Sequence, residues 1–255
     1  MTTPSQPLPR VPTKSDFPSS IQLEIIPPPK DQVPLNILLL LHGLGDTEKP
    51  FATLGRQLNL PYTACISIRA PLPLPALFTG SDALSFHWGD DIIFDQSTGE
   101  IELDSSFRKA TAVILELIID EVLIRKCGYK PRDLVILGFG QGGMVGLHIA
   151  GQKAELEMGG VVSIGGRLPS SSTSTASISK AKTPVLVLGG SRSTQVTRSA
   201  IDVLKSRFGD VEYVKWAKAE DSMPKSREEM LPIMRFFARR LRSRAGVPEG
   251  AVEIG

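Results

Sequence analysis

Residues 133–152 read DLVILGFGQGGMVGLHIAGQ, and the fold is decided here. DLVILGF (133–139) is a near-continuous apolar run, as expected of a strand covered on both faces of a sheet. GMVGLHIAGQ (143–152) starts a helix directly after it. GFGQGG (138–143) is the sharp turn between the two, and the residues alone leave two readings of it. Gly138, Gly140 and Gly143 fit G-x-G-x-x-G, which would make this a dinucleotide-binding protein with pyrophosphate at the helix N-terminus. That fingerprint belongs to a first βα unit, whereas this one lies past the midpoint of the chain, and no Asp or Glu ends the next strand to hold a ribose. Arg167 follows that strand and suits at best a 2′-phosphate. The second reading is a nucleophile elbow, G-x-S-x-G, with Gly140 standing where the nucleophile belongs. No other G-x-S-x-G occurs, and Ser163 lies inside the next strand without flanking glycines.

Outward from this turn, strand and helix patterns alternate. NILLLL (36–41), ACISIR (64–69), VVSIG (161–165) and PVLVLGG (184–190) read as buried strands, IQLEII (21–26) as a first strand and VEYVKWA (211–217) as a last one. Ala110, Val113, Leu117, Val122 and Ile124 predict a long helix over 106–126, apolar on much of its surface. TRSAIDVLKSRF (197–208) reads as a helix, and so does the segment bearing Met230, Ile233, Met234, Phe237 and Leu241 on one face. Pro232 must sit in the first turns of that last helix or kink it. Residues 71–104 and 170–182 read as loops. The alternation predicts an α/β protein with a mainly parallel sheet and helices on both faces.

The composition sets further bounds. A 255-residue chain with 41% apolar residues can bury a core without staples. With 29 Lys and Arg against 27 Asp and Glu, nothing calls for nucleic acid as a partner. Two cysteines build neither a disulfide framework nor a zinc site, and the longest strictly apolar run, Ile37 to Leu41, is too short for a transmembrane segment. Residues 1–20 are rich in Pro, Ser and Thr, lack a targeting h-region and read as a disordered arm. The domain is expected over 21–245, with a tail at 246–255, in a cytoplasmic protein.

HGLGDT (42–47) follows the strand 36–41 directly. In an α/β-hydrolase such a segment lends a backbone N–H to an oxyanion hole; otherwise it is one more glycine-rich strand-to-helix turn. HGLGDT, IRAP (68–71), GFGQGGM and the last-helix pattern together resemble the cytosolic carboxylesterases and acyl-protein thioesterases of the α/β-hydrolase superfamily, over roughly residues 20–242. The resemblance implies an α/β-hydrolase fold, no cofactor, and hydrolysis of carboxylic esters or thioesters by Ser, Asp and His. It also implies backbone N–H donors at Leu44 and Gln141, and a loop at Phe86-His87-Trp88 beside an acyl pocket.

The catalytic side chains do not carry over. The nucleophile position is Gly140. The acid turn reads Gly189-Gly190-Ser191-Arg192-Ser193, without a carboxylate, and Ser193 marks its place. The histidine position falls in Ala219-Glu220-Asp221-Ser222, with Asp221 the match, and no histidine follows His148. A carboxylate ordinarily titrates near ~4 and is a poor base for a serine hydroxyl. The remaining candidates have structural readings: Trp88 as a loop anchor, His42 as a turn brace, His148 as a satisfied helix histidine, and Arg235, Arg239 and Arg242 as a solvated face. Cys65 and Cys127 lack histidine spacing for a thiol nucleophile. The expectation is a family member with a degenerate triad that binds a small acyl-type ligand. The alternative is a working ester or thioester hydrolase that uses other groups. No protein partner can be named from the sequence.

Overall fold

The computed structural model describes residues 9–244 apart from 31, 81, 95–98, 100, 153 and 174–178. In chain order its elements are β1 (Leu23–Ile26), β2 (Asn36–Leu41), α1 (Glu48–Leu58), β3 (Thr63–Ile68), β4 (Leu72–Pro73), α2 (Ala76–Thr79), β5 (Phe86–His87) and α3 (Arg108–Ala112). α3 runs on through Val113–Lys126 in wider, π-type turns; Cys127 N–H donates to Val122 O, five residues back, at 2.9 Å. Then come β6 (Leu134–Phe139), α4 (Gln141–Gln152), β7 (Gly160–Ile164), α5 (Ser170–Thr173), β8 (Val185–Gly189), α6 (Arg198–Arg207), β9 (Val211–Lys215) and α7 (Arg227–Arg240). The expected strands all form, within two residues of their predicted ends, and Pro232 lies in the second turn of α7.

Seven strands make one sheet in the order β1-β3-β2-β6-β7-β8-β9, with β1 antiparallel to β3 and every other pair parallel. Side chains alternate between faces. Ile37, Leu39, Leu41, Ile136 and Val161 pack on one side with Ile114, Ile118 and Val122 of the π-wound helix. Leu38, Leu40, Val135, Leu137 and Val162 pack on the other with Phe51 of α1 and Ile233, Phe236 and Phe237 of α7. Both faces are covered, which is why these strands carry no polar alternation. The chain reverses its direction of travel across the sheet at β2 and β6, the neighbours that hold Leu41 opposite Gly138. In open α/β sheets, ligand crevices form beyond the carboxyl ends of strands at such a switch. HGLGDT and GFGQGG leave the sheet side by side there.

Of the stretch read as a disordered arm, residues 1–8 lie outside the described residues, as does the tail 246–255. From residue 9 onward the chain lies on the domain. Arg10 N–H donates to Cys127 O (3.1 Å), its guanidinium pairs with Asp16, and Phe17 is buried. No helix among the described residues is long and apolar enough to cross a membrane.

Two buried histidines brace the fold. His42 Nδ1 lies 2.7 Å from Gly43 O, and Ala70 N–H donates to its Nε2 (2.9 Å), which fixes a neutral tautomer. His148 touches Ser172 Oγ through Nδ1 and Gln152 Nε2 through Nε2 (2.8 Å). Burial pushes both imidazoles below their ordinary 6.5. The unfolded chain therefore takes up these protons first on acidification, and stability is lost as pH falls from about 6.5 toward the folded values. The urea midpoint should stay level between about pH 7 and 8 and fall measurably by pH 5.5. A midpoint that holds or rises at pH 5.5 would contradict this.

Candidate functional site

β6 ends in a turn that only glycine can build at several points. A methyl at Gly138 would lie 2.3 Å from the Gly142 carbonyl carbon, and one at Gly142 would lie 2.3 Å from Leu41 O and 2.5 Å from His42 O. One at Gly143 would meet Ser163 Oγ at 2.4 Å. The first turn of α4 is thus driven onto the ends of β2 and β7. Gly140, at the tip, has φ +51° and differs from these three: nothing lies within 4 Å of where its Cβ would project. Its N–H donates to Ile164 O (2.9 Å) and its carbonyl accepts from Met144 N–H (3.0 Å). GFGQGG is therefore a strand–turn–helix elbow, and it follows β6, not the first βα unit β2–α1 where the dinucleotide fingerprint belongs.

The turn after β2 faces this elbow. Gly45 N–H donates to Phe86 O (2.9 Å) and Phe86 N–H to Asp46 O (3.2 Å), which ties HGLGDT to the 86–88 loop. Trp88 is buried, and its Nε1–H donates to His42 O at 2.7 Å. Gln141 locks the same loop: Trp88 N–H donates to its Oε1 (3.1 Å), and its Nε2 donates to Leu103 O (3.1 Å). Trp88 is accordingly a loop anchor. The side chain of Gln141 is a brace, a role the motif alone does not disclose. The backbone N–H groups of Leu44 and Gln141 have no protein acceptor among the described residues. Gln141 is also the first residue of α4, where the helix dipole places partial positive charge.

The loops after β8 and β9 are laced together. Ser191 N–H donates to Lys218 O (2.8 Å), and the N–H groups of Arg192 and Ser193 donate to Ala219 O (both 3.0 Å). Asp221 clamps the pair: Gly190 N–H donates to its Oδ1 (2.8 Å) and Gln195 N–H to its Oδ2 (2.9 Å). Its Cβ packs so closely on Gly165, which has φ +66°, that a methyl there would lie 2.7 Å away. Gly166, the next residue, approaches Gly140 O in the same way. The two glycines thus sit between the elbow and Asp221. Gly140, Ser193 and Asp221, the positions that the resemblance matches to nucleophile, acid and base, all lie in loops at the carboxyl edge of the sheet. Nothing in the sequence signals the clamp, because its partners are backbone groups brought in by tertiary folding.

The other candidates are structural. Burial pushes the Cys65 thiol up to about 12 and raises that of Cys127, so neither presents a thiolate near neutral pH. Arg239 pairs with Glu212 and Arg242 with Asp133, while Arg235 is exposed.

The chain belongs to the phospholipase/carboxylesterase family, whose model matches residues 22–241. An uncharacterized hydrolase of Schizosaccharomyces pombe is 38% identical over 160 residues, which cover 62% of this chain and 64% of that protein. One of Mycosarcoma maydis is 36% identical over 164 residues, covering 62% and 58%. The chain therefore spans less than two thirds of the length of these relatives. Among solved structures, acyl-protein thioesterase 2 of Zea mays superposes with a TM-score of 0.61 at 20% identity, covering 87% of this chain and 99% of that one. Esterase PE8 gives 0.64 at 17% identity, with the same coverage, and SOBER1 of Arabidopsis thaliana gives 0.57 at 23%, covering 81% and 99%. These likenesses establish the α/β-hydrolase fold.

The glycines of the elbow should respond very differently to alanine. Gly142→Ala drives a methyl into backbone that cannot swing aside and should cost about 3 kcal/mol or more. Gly140→Ala enters open space and bears only the left-handed backbone penalty, about 1–2 kcal/mol. Urea unfolding of the two variants measures the gap, and equal losses would mean that the close approach at Gly142 is relieved elsewhere.

Proposed function

We propose that this family member holds an acyl-type ligand at the elbow without hydrolysing it. The observation that carries the reading is Gly140: a left-handed elbow residue with open space where a nucleophile would project, and no side chain to fill it. The jammed glycines on either side keep the frame, so the loss concerns the reacting group and not the turn. A second group is missing too. A serine-type mechanism needs a base that takes a proton and later returns it. At the matched position Asp221 has each carboxylate oxygen committed to a backbone N–H.

The unpartnered N–H groups of Leu44 and Gln141 support the binding half of the proposal. Backbone donors survive the loss of side chains, and at a helix N-terminus they favour a carbonyl or carboxylate oxygen. The ligand class implied is an ester, thioester or carboxylate. Two buried thiols and no framework of disulfides fit a cytoplasmic protein.

The competing reading, a hydrolase working through other groups, has one Ser–His contact among the described residues, Ser172 with His148. His148 stands seven residues beyond the start of α4, about 10 Å along the helix from the elbow. The second ring nitrogen of His148 is held by Gln152, so the pair serves packing better than catalysis at the elbow.

Two measurements test the proposal. A short-chain acyl thioester should raise the melting temperature of the wild-type protein and remain intact by chromatography. The shift should shrink in Leu44→Pro, which removes one donor, with circular dichroism verifying the fold. Gly140→Ser should leave ester turnover within about tenfold of background, since members of a triad act as a unit. Turnover approaching that of an ordinary esterase in either protein would overturn the non-catalytic reading.

A further inference from the structure

A cleft of about 610 Å³ opens between α1 and α7, on the sheet face away from the π-wound helix. That volume lies within the range of small-molecule sites. Phe51, Leu54 and Leu58 of α1 form one wall, and Met223, Met230 and Met234 on and before α7 form the other. Three methionines supply flexible, polarizable surface that adapts to a chain of variable shape. Both helices begin at the carboxyl edge of the sheet, so the cleft has a top and a bottom. From Pro50 at the upper end to Leu58 at the lower it runs about 12 Å along α1.

Charge is confined to the top. Lys225 and Arg227 sit on the upper rim, both exposed, and among the described residues neither head group makes a hydrogen bond or an ion pair within 4 Å. Asp46 is the acidic residue of the lining, and Thr47 N–H already donates to its Oδ1. Glu229, in the first turn of α7, is engaged by Lys218 Nζ (3.2 Å) and Lys225 N–H (2.8 Å). Below the rim the wall residues are apolar except Gln57, beside Leu58 at the lower end. A largely apolar trough under two exposed cations matches the polarity of one molecule type: a single chain with an anionic head.

We propose that the α1–α7 cleft binds a single-chain anionic amphiphile, its tail between Leu54 and Met230 and its head group at Lys225 and Arg227. None of the elbow residues 138–143 lines this cleft, whose upper end borders the turn after β2 through Asp46, and the proposal does not depend on whether the elbow binds anything. No bond is made or broken in it.

Dodecanoate, titrated below its micellar concentration and followed by calorimetry, is the probe. It should bind the full chain in the cleft at least tenfold more tightly than dodecyltrimethylammonium, which keeps the tail and reverses the head. The exposed double variant Lys225→Glu/Arg227→Glu should weaken dodecanoate at least tenfold and abolish the preference. Met230→Asp should abolish binding; the double variant, which touches no packing, decides the matter if Met230→Asp fails to fold. Leu44→Pro should leave unchanged the dodecanoate binding that Lys225→Glu/Arg227→Glu removes, which separates this site from the acyl site at the elbow. Three results would overturn the proposal: dodecanoate that does not bind, dodecanoate that binds equally to the cleft variants and the wild type, and binding lost in Leu44→Pro alone. A concentration-dependent dimer that Met230→Asp dissociates, with dodecanoate silent, would assign the cleft to a second copy of the chain instead.

Discussion

The site depends on one steric constraint, the approach of α4 to the ends of β2 and β7 with no side chain between them. Leu41 O and His42 O lie where a Cβ on Gly142 would have to be, and Ser163 Oγ lies where one on Gly143 would be. This contact places the first N–H of α4 beside the turn after β2 and forces Gly140 into a left-handed conformation. A second shell holds it in place. The Trp88 indole is bonded to His42 O, Gln141 bridges Trp88 and Leu103, and the His42 ring is fixed between Gly43 O and Ala70 N–H. All of these partners stay in place with glycine at 140, because none of them touches that residue's missing side chain.

At the far side of the site, the position that the resemblance matches to the base is Asp221, a loop clamp. A histidine there would have to stay mobile enough to exchange protons and keep one ring nitrogen toward the nucleophile. Asp221 does neither. It fastens the loop after β8 to the loop after β9 and leans on Gly165, so its carboxylate behaves as a turn cap. Substituting histidine at 221 would therefore remove a clamp as well as add a base.

Much of this was legible in the sequence, and for identifiable reasons. Strands buried on both faces read as unbroken apolar runs, so NILLLL and DLVILGF could hardly be anything else. Glycines packed at 138, 142 and 143 leave a spacing that local sequence records. The contacts that escaped are those between distant backbone groups. The proline-rich start reads as an arm, yet from residue 9 it is tied down by Arg10 to Cys127 and by the buried Phe17. The Asp221 clamp and the Gln141 brace depend on loops that meet only in the folded chain. The α1–α7 cleft depends on how far apart two helices settle on a sheet, which the amphipathic pattern of either helix does not specify.

The central claim is that the elbow offers no reactive group, and serine-directed fluorophosphonate followed by intact mass tests it most directly. The account predicts an unmodified mass after prolonged exposure, under conditions where an active serine hydrolase is labelled completely. A stoichiometric adduct on any serine of the wild-type chain would contradict it, and mapping that serine would locate the nucleophile the account says is absent.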